Sequence, residues 1–135
     1  AIAVGLVERG LQTVVAWGPA EAERASRVAE LAGSGTDTAP PTDLVELAAL
    51  LRAARLVVGG DTGPVHLAAS LGTPTVGVFL TTDPDRNGPL GPATAVVSGA
   101  ARHAAPTGSA TTRALRSVGV DEVLAAVDRL LQRHE

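Results

Sequence analysis

Continuous apolar runs alternate along the chain with segments in which apolar residues recur at helical spacing. Four runs predict strands, at residues 12–17, 56–58, 75–79 and 93–97. Because the first three are apolar throughout rather than at alternate positions, they are predicted to be buried. Strands of this kind, separated by helices, predict an α/β fold with a doubly wound, parallel, Rossmann-like sheet.

Helical periodicity fills the intervals between these runs. Leu44, Leu47, Ala48 and Leu51 recur at i, i+3, i+4 and i+7, and Thr42 is the predicted N-cap of their helix. The spacing predicts one apolar face turned toward a core. In all, helices are predicted at residues 1–9, 20–32, 43–54, 65–71 and 121–133.

Two segments before residue 42 are less regular. Gly10 is expected to end the first helix in the left-handed conformation. The apolar residues Ala25, Val28, Ala29 and Leu31 of the second helix lie roughly on one face, which is expected to pack against the core. Residues 33–41 are a loop by composition, with room for a short strand.

Composition excludes several classes of protein. With 135 residues and a formal charge of −3, the chain has room for one domain at most and has no basic cluster for nucleic acid or an anionic membrane. Cysteine is absent, which excludes disulfides, thiolate zinc sites and a cysteine nucleophile. Trp17 and Phe79 are the only aromatic residues, which disfavours stacking surfaces for carbohydrate or single strands.

The chain opens at Ala1, without Met, inside a predicted helix. A complete doubly wound unit begins with a strand, which usually lies centrally in the sheet. The first strand is therefore expected to be missing, and the chain is expected to be a fragment, a processed chain or an incomplete one.

The segment 57–66 predicts a strand, a tight turn and the start of a helix with Pro64 at its first position. Free N–H groups in the first turn of a helix suit a phosphate, Thr62 adds a hydroxyl, and His66 can donate a ring N–H to the same anion. The alternative is that Asp61 and Thr62 only cap the helix while His66 is a satisfied, half-buried histidine. The dinucleotide fingerprint G-x-G-x-x-G is absent, which disfavours an ordinary dehydrogenase.

A second strand-to-helix junction contains Trp17, Gly18 and Glu21. A carboxylate just past a strand end can accept both hydroxyls of a ribose. The alternative is that Glu21 or Glu23 only favours the positive end of its helix. Trp17 could stack on a base, although a tryptophan at the end of a strand more often belongs to the core.

Residues 81–92 form an unusually polar predicted loop. Asp83 and Asp85 have the spacing of a metal-binding pair, but Pro84 between them makes a turn at least as good an interpretation. No third ligand is visible in the sequence, so no metal site is predicted. His103 and His134, in a loop and at the terminus, are expected to be inert.

Beyond these patterns, residues 47–69, 72–76, 82–84 and 86–89 closely resemble the central signature of the family-9 glycosyltransferases. These are heptosyltransferases that use ADP-heptose to build the lipopolysaccharide core. The string Asp-Thr-Gly-Pro-x-His-x-Ala at residues 61–68 is its most specific part. The resemblance runs from about residue 12 to residue 131, nearly the whole chain.

The resemblance implies a metal-independent, inverting enzyme of the GT-B fold, with two Rossmann-like domains facing across a cleft. Residues 1–135 would be most of the C-terminal, donor-binding domain, and the N-terminal domain of the same protein would be its partner. Thr62, Gly63 and His66 would hold the diphosphate of the donor, and Asp61 would lie near the donor sugar.

The other implied donor-site residues lie on either side of this turn. Gly18 and Glu21 resemble the end of a strand that, earlier in the family's sequences, forms part of the donor site. There Glu21 would bind the ribose. Thr82 and Asp83 would line the cleft. The chain departs from the family at residues 79–82, where a Gly-Pro usually precedes Thr-Asp-Pro, and at Gly60, which replaces a commoner polar residue.

The catalytic parts of the family are expected outside this sequence. Its phosphate-binding lysine would precede Ala1, and its general base would lie on the N-terminal domain. No catalytic residue is therefore expected on this chain, which should not turn over unaided. It also lacks the cysteine cluster that some members carry.

The predicted function is the donor half of a cytoplasmic glycosyltransferase, with at most peripheral membrane contact and no cofactor. It would move a sugar, expected to be a heptose, from a nucleoside-diphosphate donor (an ADP-sugar) to a hydroxyl of a glycan or small-molecule acceptor. Two alternatives remain open from the residues: a non-catalytic nucleotide-binding or assembly module, and a nucleotide-sugar epimerase. An epimerase would act on the donor without an acceptor.

Overall fold

The structure, a computed structural model, describes residues 1–99 and 117–133. Helices and strands alternate there, and the chain divides into two compact units, Ala1–Leu50 and Leu51–Glu135. The elements are α1 (Ile2–Glu8), β1 (Thr13–Val15), α2 (Ala22–Ala32), β2 (Thr36–Thr38), α3 (Leu44–Ala53), β3 (Val57–Gly60), α4 (Gly63–Ser70), β4 (Thr75–Phe79), α5 (Pro84–Asn87), β5 (Thr94–Ser98) and α6 (Val120–Arg133).

In the first unit, β1 and β2 pair in parallel, with Thr13 opposite Thr36. The short strand expected within residues 33–41 is thus confirmed as β2. Gly10 follows α1 with a φ of +76°, which confirms the left-handed end. The predicted burial of residues 12–17 is wrong, because Val14 is 51% exposed. Side chains of a strand project to the faces of its sheet, and the face on which Val14 lies is only partly covered.

The predicted apolar face of α2 is also wrong in part. Ala25 is buried, whereas Val28 is 39% and Leu31 73% exposed. At 3.6 residues per turn Leu31 lies about 120° around the helix from Ala25. Ala29, which belonged to the predicted face, and Ala32 are half-buried and lie closer to Ala25, so the face that packs is made of small residues.

The N-cap of α3 is Asp43, and the prediction of Thr42 is wrong. Asp43 Oδ1 accepts from the Glu46 amide at 2.8 Å, and the Asp43 amide donates to Glu46 Oε2 at 2.8 Å. This is a capping box, in which both residues satisfy each other's backbone N–H. The prediction missed the glutamate three residues after Asp43, which decides between the two neighbouring positions.

The second unit contains a parallel sheet of three strands in the order β3-β4-β5. Val57 lies opposite Thr75, and Thr75 opposite Thr94. The central strand β4 matches the predicted residues 75–79, and its Val76 and Phe79 are fully buried. This confirms the predicted α/β fold with parallel strands. The remaining core side chains of this unit come chiefly from α4 and α6: Val65, Ala68, Ala69, Val123, Leu124, Ala126, Val127 and Leu130.

The unpatterned residues 100–117, and with them His103, lie outside the described residues except for Ser117, and so does His134. Within the ranges that are described, no helix combines the length and the apolar character needed to cross a membrane.

Candidate functional site

The turn after β3 is held close to the helix that follows it. β3 ends at Gly60, and α4 begins at Gly63, so Pro64 is the second residue of the helix and not, as predicted, the first. A Cβ on Gly59 would lie 2.6 Å from Cγ2 of Val65, so only glycine lets strand and helix approach this closely. The close packing fixes residues 61 and 62 at the carboxyl end of β3.

Asp61 joins three segments of the second unit through its carboxylate. Its Oδ1 lies 3.0 Å from Nε2 of His66, one turn into α4. Its Oδ2 accepts a hydrogen bond of 2.7 Å from the Thr82 hydroxyl, which follows β4. The structure therefore brings together three residues that the sequence analysis assigned to the site.

The surroundings of Asp61 favour its ionised form. The hydrogen bond with His66 is the largest cause and that with Thr82 the next; together they lower the pKa of Asp61 below its ordinary value, against the opposing effect of burial. The Asp61 side chain is 24% exposed and that of His66 39% exposed. Asp61 is therefore a carboxylate at neutral pH that accepts hydrogen bonds, and His66 donates its Nε2 proton to it.

Neither Asp61 nor Thr62 caps α4 with its side chain. Thr62 is the N-cap residue, but its hydroxyl is directed to the Gly60 carbonyl at 3.4 Å and makes no capping bond. The capping alternative is therefore wrong for both residues, although His66 is satisfied by Asp61, as that alternative supposed. In the described ranges the amides of Thr62 and Gly63 donate to no protein acceptor, and Pro64 has no N–H. Two backbone donors thus remain open at this helix start.

Asp83 and Asp85 form a turn. Asp83 Oδ1 accepts from the Asp85 amide at 3.0 Å and caps the short helix α5, with Pro84 in its first turn. The turn interpretation of this pair is confirmed, and the prediction of residues 81–92 as loop missed α5. Among residues 1–99 and 117–133, no three His, Asp or Glu side chains are grouped closely enough to hold a metal ion.

The junction after β1 contains a second carboxylate held by a backbone amide. Glu21 Oε2 accepts from the Gly18 amide at 3.0 Å, and the Glu21 amide donates to the Gly18 carbonyl. Glu21 is the N-cap residue of α2, and its side chain makes no capping hydrogen bond. Ala20, which the sequence analysis did not single out, has a φ of +64°, a conformation unusual for a residue with a Cβ. Trp17 is partly buried and donates its indole N–H to the Ala39 carbonyl at 2.7 Å.

The candidate residues therefore fall into two groups by unit. Gly18 and Glu21 lie in Ala1–Leu50. The other six lie in Leu51–Glu135: Asp61, Thr62, Gly63, His66, Thr82 and Asp83. Gly59, which lets β3 and α4 approach closely before the turn, was missed because its role depends on the neighbouring helix.

Comparison with known proteins places these features in a family. The family model of glycosyltransferase family 9 (heptosyltransferase) matches residues 1–117. Lipopolysaccharide heptosyltransferase 1 of Salmonella typhimurium is 40% identical over 90 residues, 65% of this chain and 28% of that protein. The enzyme of the same name from Pseudomonas aeruginosa is 39% identical over 94 residues, 67% of this chain and 25% of that protein. The chain thus spans about a quarter of the length of these curated relatives.

Solved structures agree in fold. The E. coli ADP-heptose lipopolysaccharide heptosyltransferase II matches 98% of this chain, and 40% of its own, with a TM-score of 0.79 and 23% identity. The E. coli heptosyltransferase WaaC with ADP matches 96% of this chain, and 36% of its own, with a TM-score of 0.67 and 28% identity. Because the family model covers most of the sequence, the chain belongs to glycosyltransferase family 9.

Proposed function

We propose that this chain is the donor-binding part of an inverting heptosyltransferase. The whole protein would transfer a heptose from ADP-heptose to a hydroxyl of a lipopolysaccharide-type glycan. The family supports the reaction class, and the names of the similar proteins, which include ADP-heptose, ADP and lipopolysaccharide, support the donor and the acceptor.

The observation that carries the proposal is the helix start at residues 61–66. The free amides of Thr62 and Gly63 lie at the positive end of α4, where an anion is stabilised. His66 lies one turn further along with a partly exposed imidazole. We assign the diphosphate of the donor to these three residues, with Asp61 near the donor sugar.

The residues at this helix start would assist the transfer reaction by stabilising the negative charge that develops on the leaving group. When the bond between sugar and diphosphate breaks, negative charge grows on the leaving diphosphate, and donors already in place stabilise it. The proton of the acceptor hydroxyl must pass to a base. We place that base on an N-terminal domain of the same protein, because the bonds to His66 and Thr82 leave Asp61 a weak base.

We extend the proposal to the rest of the donor. The exposed carboxylate of Glu21, oriented by the Gly18 amide, would accept the ribose hydroxyls. Thr82 and Asp83 would line the cleft. The diphosphate would be bound without a metal ion or another cofactor, and the use of a nucleotide sugar favours a cytoplasmic location with at most peripheral contact with a membrane.

Calorimetric titration of ADP, UDP and GDP into the chain tests the proposal. We expect ADP to bind more tightly than UDP or GDP, and binding to weaken at least tenfold in His66→Ala, about the effect of one hydrogen bond to a charged group. Thr62→Val keeps the backbone amide and removes only the hydroxyl that is directed to the Gly60 carbonyl, so its effect on ADP affinity should be smaller. Ser70→Ala is the matched control, because Ser70 is an exposed hydroxyl residue at the opposite end of the same helix. An equal loss of ADP affinity in Ser70→Ala would show that the substitutions weaken binding by destabilising α4 and not by removing contacts with the ligand.

The longer protein distinguishes the alternatives. With an N-terminal domain present, ADP-heptose and an acceptor, we expect heptose transfer. Conversion of the donor without an acceptor would identify an epimerase instead. Tight ADP binding with neither activity would identify a non-catalytic binding module, and no nucleotide binding by the folded longer protein would refute the donor site.

A further inference from the structure

The position of Asp61 raises a physical difficulty for an anion site. Its carboxylate is attached one residue before the N-cap, next to the two open amides of Thr62 and Gly63. An aspartate side chain can accept a hydrogen bond from the backbone amide two residues further on, here that of Gly63, and a negative charge is favoured at this end of a helix. Here it would occupy the donors that a diphosphate needs, and its charge would repel the ligand.

Both oxygens of this carboxylate are instead engaged elsewhere. His66 takes Oδ1 and Thr82 takes Oδ2, so a capping position for Asp61 would break two hydrogen bonds to an ionised group. His66 is itself assigned to the ligand, whereas Thr82 Oγ1 has no other partner among the described residues. Of the two hydrogen bonds that hold Asp61, only the one from Thr82 therefore comes from a residue that is not assigned to bind the diphosphate.

We propose that Thr82 is a positioning residue that holds the Asp61 carboxylate off the start of α4 and so keeps the anion site open. The inference rests on the proposed function, since it concerns the same diphosphate site. It differs from the role in lining the cleft, because Thr82 would act through Asp61 and without contact with the donor. A hydroxyl 21 residues away in sequence would thus determine whether two backbone amides are available.

A double-mutant cycle tests whether Thr82 acts through Asp61. ADP affinity is measured by calorimetry for the wild-type chain, Thr82→Val, Asp61→Ala and the double variant. We expect Thr82→Val to weaken binding about tenfold in the wild-type background, the effect of one hydrogen bond to a charged group. With Asp61→Ala already present, we expect Thr82→Val to change the affinity less than twofold.

Two further variants separate the hydroxyl from the shape of the side chain. Thr82→Ser keeps the donor and should restore wild-type affinity. Thr81→Val is the matched control, because Thr81 is the adjacent exposed threonine and makes no hydrogen bond among the described residues. The ADP affinity of Thr81→Val should equal that of the wild type. An equal loss from Thr82→Val in both Asp61 backgrounds, or no loss in either, would overturn the proposal.

A measurement without ligand keeps this inference separate from the proposed function. NMR titration of the Asp61 carboxyl should show its pKa raised by Thr82→Val and returned by Thr82→Ser, because the Thr82 hydroxyl stabilises the ionised form. An unchanged pKa of Asp61 in Thr82→Val would refute the positioning of Asp61 by Thr82, whether or not ADP binds. If the pKa shift is observed but the folded wild-type chain does not bind ADP, the donor site is refuted. Thr82 would then only position the Asp61 side chain, without a role in binding.

Discussion

Gly59→Ala tests whether the turn at residues 61–62 depends on close packing between β3 and α4. The added Cβ would lie 2.6 Å from Cγ2 of Val65, whereas carbon atoms in contact prefer about 3.5–4.0 Å. Strand and helix must therefore separate by roughly 1 Å, since Val65 is only 2% exposed and its β-branched side chain has few other rotamers. Overpacking of this kind costs about 1–3 kcal/mol of unfolding free energy.

Urea denaturation followed by circular dichroism measures this change. We expect Gly59→Ala to lower the midpoint with an unchanged slope, which identifies a change in stability. Gly60→Ala is the matched control, because its added Cβ would have its nearest neighbour, the Val78 carbonyl oxygen, at 3.9 Å. The control should stay within about 0.5 kcal/mol of the wild type.

A second substitution identifies the contact that is responsible. Val65→Ala removes Cγ2, so it should cost less in the Gly59→Ala background than in the wild type, by about 1 kcal/mol. A shift of the first turn of α4 should also weaken ADP binding in Gly59→Ala. Equal stability of Gly59→Ala and Gly60→Ala would refute the reasoning, because the clash would then be relieved without cost.

Three other outcomes are expected. Asp43→Ala should destabilise the chain by about 1 kcal/mol in urea denaturation through loss of the capping box, and Thr42→Ala should not; a larger effect of Thr42 would contradict the assignment. Since the folded pKa of Asp61 is lowered, its contribution to stability is complete above the unfolded pKa near 3.8 and is lost as pH falls through the folded value. Acid unfolding curves of the wild type and Asp61→Asn should therefore converge as pH falls below about 4, and a constant difference would contradict this. EDTA should leave ADP affinity unchanged in calorimetry, and a loss reversed by Mg²⁺ would show that the diphosphate needs a metal.

Local patterns predicted the elements of the second unit well. Apolar runs and a Gly-rich turn followed by proline are signals within ten residues, and they located β3, α4 and β4 to within about two residues. Exposure was harder to predict, because it depends on neighbours distant in sequence. The spacing that placed Leu31 on an apolar face contained no information on which side of α2 would pack.

The sequence predicted which residues belong to the candidate site, but it did not predict the hydrogen bonds between them. The string at residues 61–68 identified Asp61 and His66, and their spacing allows contact along one strand-to-helix turn. The bond from Thr82 joins two segments 21 residues apart and depends on the pairing of β3 with β4. For the same reason the sequence could not decide whether Asp61 caps α4 or is held elsewhere.

That decision determines the chemistry of the turn. A carboxylate that caps its own helix has already used the donors that an anion would need, and a capping Asp61 would have favoured a structural role for the turn. In the structure its two oxygens are taken by His66 and Thr82, and the hydroxyl of Thr62 is directed back to Gly60. The side chains nearest to the start of α4 are thus satisfied without the amides of Thr62 and Gly63, which leaves those amides for a ligand of opposite charge.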